Sequence, residues 1–285
     1  MLSLKQMIPS WVETTARRLV WEYRKTTWRL RSLPDFIIIG AQKAGTSSLF
    51  AYLSQHSQLL PSFVKEVHFF DGGLNSNVDN FEKGEAWYRA HFPLRKNLNA
   101  HSKTFEASPL YIFNPLTPKR IFDLVPEVKI IALLRNPTER AISQYFREKR
   151  KGRESLPIIE ALQEEEKRLE SVDNNKDYKN KNFRYYTYKR RGLYKQQIER
   201  FLNYFPMHQI LVLSSEKFFS EPENTLSQVF EFVGVDTGFK VKDLRPRAVG
   251  KNKRKVHTDV YQYLNDYFSP HNQALYKLLG KSYEW

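Results

Sequence analysis

Cysteine is absent from the chain, which excludes a disulfide framework, a thiolate metal site and a cysteine nucleophile together. Long hydrophobic runs are absent as well. Nothing approaches the ~18 consecutive apolar residues of a membrane span, and residues 1–33 lack the uninterrupted apolar stretch of a secretory signal. The expectation is a cytoplasmic protein, at most peripheral to a membrane. Acidic residues are scarce beside basic ones: 31 Asp and Glu stand against 46 Lys and Arg, a net charge of +15. Such a surface attracts anions, among them nucleotides, nucleic acid, acidic glycans and anionic lipid, and charge does not choose among them.

With 41% hydrophobic and 14% aromatic residues in a length of 285, the chain can bury a substantial core, and one α/β domain is expected. Residues 1–33 interleave Trp11, Leu19, Val20, Trp21, Tyr23 and Trp28 with Arg17, Arg18, Arg24, Lys25, Arg29 and Arg31, the pattern of a basic helix with aromatic anchors. That helix can rest on an anionic membrane or pack on the protein body, and packing is favoured. Pro34 ends it, so residues 34–285 are read as the main domain.

Three short apolar runs read as buried strands: Phe36-Ile37-Ile38-Ile39 before Gly40, Lys129 to Leu134, and Gln209 to Leu213. Helical patterns over Thr117 to Leu124 and Leu193 to Tyr204 precede the second and third. Strands alternating with helices imply a P-loop-type parallel sheet flanked by helices, because parallel neighbours need crossover connections. The polar stretch at about 150–188 reads as an exposed helical insertion, and residues 258–279 as a helix covering a sheet edge.

The first strand runs into Gly40-Ala41-Gln42-Lys43-Ala44-Gly45-Thr46-Ser47-Ser48. A strand, a tight turn and a helix N-terminus present backbone N–H groups and the positive end of a helix dipole, a ready phosphate site. In an ATP-type loop Lys follows the second Gly; here Thr46 stands there and Lys43 lies inside the loop. The strand over Lys129 to Leu134 is followed by Arg135, where a magnesium-dependent NTPase would offer Asp. The site therefore expects an anion and no metal. After Arg135, Asn136 is an N-cap, Pro137 takes the first helical position and Glu139 completes a capping box. Helical spacing puts Arg140, Ser143 and Arg147 on one face, so that Arg135 and Ser143 converge on a second phosphate. Two anion sites at the carboxyl ends of neighbouring strands suit a nucleotide phosphorylated at two separate positions.

These motifs resemble those of the sulfotransferases that use 3′-phosphoadenosine 5′-phosphosulfate (PAPS). The segment Lys65-Glu66-Val67-His68-Phe69-Phe70-Asp71, with Arg191-Gly192-Leu193-Tyr194 and the terminal Leu278 to Trp285, is similar to the heparan sulfate 3-O-sulfotransferase and N-sulfotransferase group. The resemblance implies that Gln42, Lys43, Ala44, Gly45, Thr46 and Ser47 hold the 5′-phosphosulfate, and Arg135 and Ser143 the 3′-phosphate. Lys253, Arg254 and Lys255 would close over the nucleotide. Two departures stand out: Ala107 takes the place of a family Lys in Glu106-Ala107-Ser108-Pro109-Leu110-Tyr111, and Lys253 to His257 lacks the family's Gly. The acceptor implied is a glycan or glycoside carrying a hydroxyl or amine, with no nucleic acid as partner.

Sulfuryl transfer needs a base for the acceptor proton and a cation for the leaving phosphate. Glu66 is the candidate base, on the expectation that an extended segment faces Glu66 and His68 to the site and that a partly apolar pocket raises the carboxyl's pKa. Lys43 is the candidate leaving-group stabiliser. His68 would orient or donate, and Asp71 and His257 would contact the substrate. Two other readings remain: a P-loop nucleotide kinase or NTPase, and a basic anion- or nucleic-acid-binding module.

Overall fold

A computed structural model describes residues 10–172, 178–248 and 256–285. Among them, five strands form one parallel sheet: β1 Phe36–Gly40, β2 Leu59–Pro61, β3 Lys103–Ala107, β4 Lys129–Leu134 and β5 Ile210–Ser214, in the order β2-β3-β1-β4-β5. The flanking helices in chain order are α1 Ser10–Thr26, α2 Thr46–Leu53, α3 Gly84–Arg89, α4 Thr117–Leu124, α5 Pro137–Arg150, α6 Ile158–Gln163 and α7 Glu165–Leu169. They continue with α8 Lys181–Tyr185, α9 Tyr194–Leu202, α10 Ser215–Ser220, α11 Pro222–Val233 and α12 Thr258–Leu279. The molecule is thus a single α/β domain with helices around a parallel sheet, as its strand pattern implied.

Every residue of β1 is buried, which is why it reads as a continuous apolar run: a central parallel strand is covered on both faces. The chain leaves β1 for β2 and β3 on one side, then crosses to β4 and β5 on the other. The carboxyl ends of β1 and β4 therefore flank the crevice where such sheets bind ligands. A register shift between Ile38 and Gly40 against β4 bends the end of β1 as it enters the loop. Gly40 is required there by close approach: a Cβ would come within 2.4 Å of Ile112 Cγ2.

Strands β2 and β3 were not visible in the sequence. β3 reads Lys-Thr-Phe-Glu-Ala, and its buried Thr104 and Glu106 hide the strand from any hydropathy argument. Thr104 is satisfied by Asp35, whose Oδ2 accepts its backbone N–H at 2.7 Å. The insertion at 150–188 is less exposed than its composition suggested. Ala161 and Leu162 pack with Ala141, Ile142, Tyr145 and Tyr188 in a second apolar cluster. Its buried Glu154 is matched by Arg168 at 2.6 Å and by the Tyr188 hydroxyl at 2.8 Å. α12 packs chiefly on α9 and α5, and its last turns enter the main core through Leu275. The tail beyond it reaches edge strand β5, where Lys281 Nζ donates to Val212 O at 2.7 Å. α1 docks through Trp21, whose ring lies 6.1 Å from Trp87, and through Arg24, which donates to the carbonyls of Ala90 and Phe92.

Candidate active site

A cleft of about 700 Å³ opens at the carboxyl ends of β1 and β4, lined by Gln42, Lys43, Gly45, Thr46, Ser47, Glu66, Arg135, Ser143 and Arg147 among others. Its floor is the turn from β1 into α2. Gly45 is the N-cap of α2 with φ of 102°, a conformation costly for any residue with a Cβ. Ala44 is buried beneath the turn, and its carbonyl accepts from Ser215 Oγ at 2.7 Å. Lys43 also has a positive φ, 75°. Burial lowers its pKa, and the charges of Arg147, Arg150 and Arg135 lower it further.

The opposite wall comes from β4 and α5. Asn136 caps α5 by accepting from the N–H groups of Thr138 and Glu139. Arg135, just before the cap, donates to Lys43 O at 3.3 Å and to Glu139 at 3.1 Å, so the turn after β1 and the start of α5 are tied directly. Glu139, Ser143 and Arg147, spaced by four, line the cleft. Arg140 does not join them. It is fully buried and donates to Gln144 and to the carbonyl of Tyr188, because its helical position turns it toward the second core cluster.

Glu66 enters the same cleft from the loop after β2. The segment around it is not extended. Glu66 and His68 adopt left-handed φ of 63° and 53°, and Val67 and Phe69 on either side of His68 are both buried anchors. Glu66 is 40% exposed at the cleft and His68 lies behind it, with His68 Nε2 at 3.4 Å from Glu66 Oε2. That approach is an ion pair without hydrogen-bond alignment, and Nε2 has no hydrogen-bond partner among the described residues. His68 Nδ1 donates to Asp71 Oδ2 at 2.7 Å, which makes Asp71 a support for His68, inside the protein rather than on the cleft wall.

The expected rise in the Glu66 pKa is reversed. Burial pushes the carboxyl up, but its contacts with His68 and Lys65 outweigh that and hold it at about 2. The apolar walls are present; the nearby cations decide the sign. His68 shows the mirror image: burial pushes it down, and Asp71 and Glu66 raise it to about 9. At neutral pH the site holds a Glu66 carboxylate, a His68 imidazolium and the Asp71 side chain in sequence.

The sulfotransferase domain family matches residues 33–277. This chain belongs to that family. The sulfotransferase is 30% identical to heparan sulfate glucosamine 3-O-sulfotransferase 6 of Homo sapiens, over 90% of this chain and 74% of the relative. It is 31% identical to bifunctional heparan sulfate N-deacetylase/N-sulfotransferase 1 of Xenopus tropicalis, over 92% of this chain but spanning only 31% of that relative's length. A crystal structure of a sulfotransferase from Alicyclobacillus acidocaldarius superposes with a TM-score of 0.72 at 30% identity, covering 88% of this chain and 98% of that one.

Several cleft residues of this sulfotransferase carried no sequence signal. Pro246, Arg247 and Ala248 line it because Ser48 Oγ accepts the Arg247 N–H at 2.9 Å and the Tyr52 hydroxyl donates to Leu244 O at 2.5 Å. Ser215, Glu216 and Phe219 arrive from the end of β5. No local spacing links these segments to the turn after β1. His257 stands apart from the cleft lining: it is the N-cap of α12, exposed, and paired with Asp259 at 3.0 Å. Lys253, Arg254 and Lys255 lie outside the described residues.

Proposed function

We propose that this sulfotransferase takes a sulfuryl group from PAPS and places it on a hydroxyl or amine of a carbohydrate acceptor, releasing 3′-phosphoadenosine 5′-phosphate (PAP). One observation carries the reading: a single cleft joins the turn at Lys43 to Ser47 with Arg135 and Ser143, and Glu66 enters that same cleft. The donor fits these residues. Backbone N–H groups at the start of α2 suit its 5′-phosphosulfate, and Arg135 with Ser143 suits its 3′-phosphate. The Phe219 ring offers an apolar wall for the base.

In this reading Lys43 donates to the oxygen that leaves sulfur, where negative charge accumulates. Its lowered pKa suits a proton shared with that oxygen. Glu66 takes the acceptor proton. A carboxylate held near 2 is a weak base, yet an acceptor oxygen already bonding to sulfur is far more acidic than a free hydroxyl, so a weak base suffices. His68 orients Glu66, and Asp71 fixes the ring and its charge.

The acceptor reading rests on the relatives and on charge. Arg147, above all, lowers the pKa of Lys151, and Arg153 adds to it, so positive charge is concentrated on the α5 side of the cleft, as an acidic glycan would require. A lipid or small glycoside acceptor is favoured by a different observation: Leu19 and Tyr23 of α1 are 65% and 56% exposed among basic residues, suited to an anionic membrane surface.

Calorimetry with PAP in the absence of magnesium tests the donor, and binding is expected. Magnesium-dependent binding of ATP with no binding of PAP would overturn PAPS as the donor. Labelled PAPS offered with N-desulfated heparan, simple glycosides and a lipid extract identifies the acceptor class from the labelled product. Glu66→Gln is expected to bind PAP normally and to lose about 10²–10⁴-fold in transfer; undiminished turnover removes Glu66 from the mechanism.

A further inference from the structure

One buried acid has no part in the reading above. Glu106, on β3, is fully buried and is surrounded by three hydroxyls. Tyr88 and Tyr111 approach its Oε1 at 2.7 and 3.1 Å, and Ser108 approaches its Oε2 at 2.8 Å. Two of these hydroxyls are used twice. Ser108 Oγ accepts the N–H of His68 at 3.2 Å, and the Tyr111 hydroxyl accepts the N–H groups of Phe69 and Phe70 at 2.9 and 3.4 Å.

A hydroxyl carries a single proton. With their oxygens facing backbone N–H groups, Ser108 and Tyr111 send their protons to Glu106, as does Tyr88. The ionised carboxylate, which only accepts, satisfies all three at once. Burial nonetheless raises its pKa to about 7, against the pull of the hydroxyls. The residues held by this network are the ones that need holding. Glu66 and His68 sit in left-handed backbone, which costs roughly 1–2 kcal/mol per residue and persists only when the surroundings impose it. The Glu66 N–H is also fixed to β3, donating to Ala107 O at 3.0 Å.

We propose that Glu106 is a positioning residue: its carboxylate orients the Ser108 and Tyr111 hydroxyls so that they clamp the backbone of residues 68–70, which keeps Glu66 and His68 aimed at the cleft. The proposal rests on the reading of Glu66 as the base, and its test separates the two.

Glu106→Gln places an amide N–H₂ against a hydroxyl donor and breaks one arm of the clamp. Tyr111→Phe removes only a hydroxyl and keeps the ring in the core, so it serves if the first variant does not fold. For either, amide hydrogen exchange at 68–70 is expected to accelerate while exchange along β1 stays as in the wild type. Turnover is expected to fall about 10–100-fold, as a small displacement of reacting groups produces, with the PAP dissociation constant within about twofold because the PAP-binding residues are untouched. Wild-type turnover, wild-type protection at 68–70, or loss of PAP affinity in step with turnover overturns the clamp. Full turnover in Glu66→Gln overturns the base instead, and leaves the exchange result standing as a measure of the clamp alone.

Discussion

Replacing Asp71 by Asn probes the electrostatics that set the state of His68. The two side chains are 7% and 4% exposed, with Nδ1 and Oδ2 2.7 Å apart, so water screens them little. Burial alone would lower the imidazole pKa, and the hydrogen bonds and charges of Asp71 and Glu66 overcome it, raising it from 6.5 to about 9. That rise corresponds to about 3 kcal/mol in favour of the imidazolium in the folded protein. The folded pKa lies above the unfolded one, so this stabilisation is complete below pH 6.5 and is lost as pH rises toward 9. In Asp71→Asn the carboxylate becomes an amide while the burial and Glu66 remain, so the His68 pKa should fall below its wild-type value. Following the His68 Cε1–H resonance against pH measures this directly. Denaturation at pH 6.5 and 9 gives the energetic counterpart: the wild type should lose more stability than the variant between them, by less than the full ~3 kcal/mol because Glu66 is retained. A variant in which His68 titrates as in the wild type, or in which stability declines with pH as steeply as in the wild type, refutes the argument.

Other expectations follow from the cleft. Lys43→Ala should lower turnover by about 10²–10³-fold, the usual cost of one lost donor to developing charge, with a smaller effect on PAP affinity; equal losses in both would make Lys43 a binding residue only. Arg135→Ala should weaken PAP binding by about 10–100-fold and leave adenosine 5′-monophosphate binding unchanged, since the second ligand lacks the 3′-phosphate; parallel losses would place Arg135 elsewhere on the nucleotide. Gly45→Ala puts a Cβ at φ 102° and 2.8 Å from the Phe219 ring, and should cost about 1–3 kcal/mol in denaturant unfolding together with PAP affinity.

The elements that read clearly from the sequence are strands buried almost throughout by apolar residues and a helix with a regular apolar face. β4 and α4 occupy the residues their patterns marked, and β5 is displaced by one residue, Ile210–Ser214 in place of Gln209 to Leu213. β3 was illegible for the opposite reason: two of its five residues are buried polar groups, tolerated because Asp35 and Tyr88 come from remote parts of the chain, and Ser108 and Tyr111 fold back from just after the strand, to bond them. The same holds for the insertion at 150–188, where Glu154 is buried with Arg168 and Tyr188 as partners. Hydropathy cannot register a charge whose cost is cancelled by residues far away in sequence.

By itself the sequence determined the strands β1, β4 and β5, the glycine turn after β1 and the capped helix after β4, because each is specified by neighbours within a few residues: an apolar run, a glycine turn, an N-cap. It also placed Glu66, His68 and Asp71 in one short segment. Only the tertiary structure decided what that segment does. Its left-handed backbone at Glu66 and His68 is imposed by contacts from β3 and the turn after it. The reversal of the Glu66 pKa comes from the side chains that folding gathers around it: Lys65 is adjacent in sequence, but the placing of His68 behind Glu66 and against Asp71 is not a property of sequence spacing. Charges act through space at a few ångströms, and the sequence records only their order along the chain.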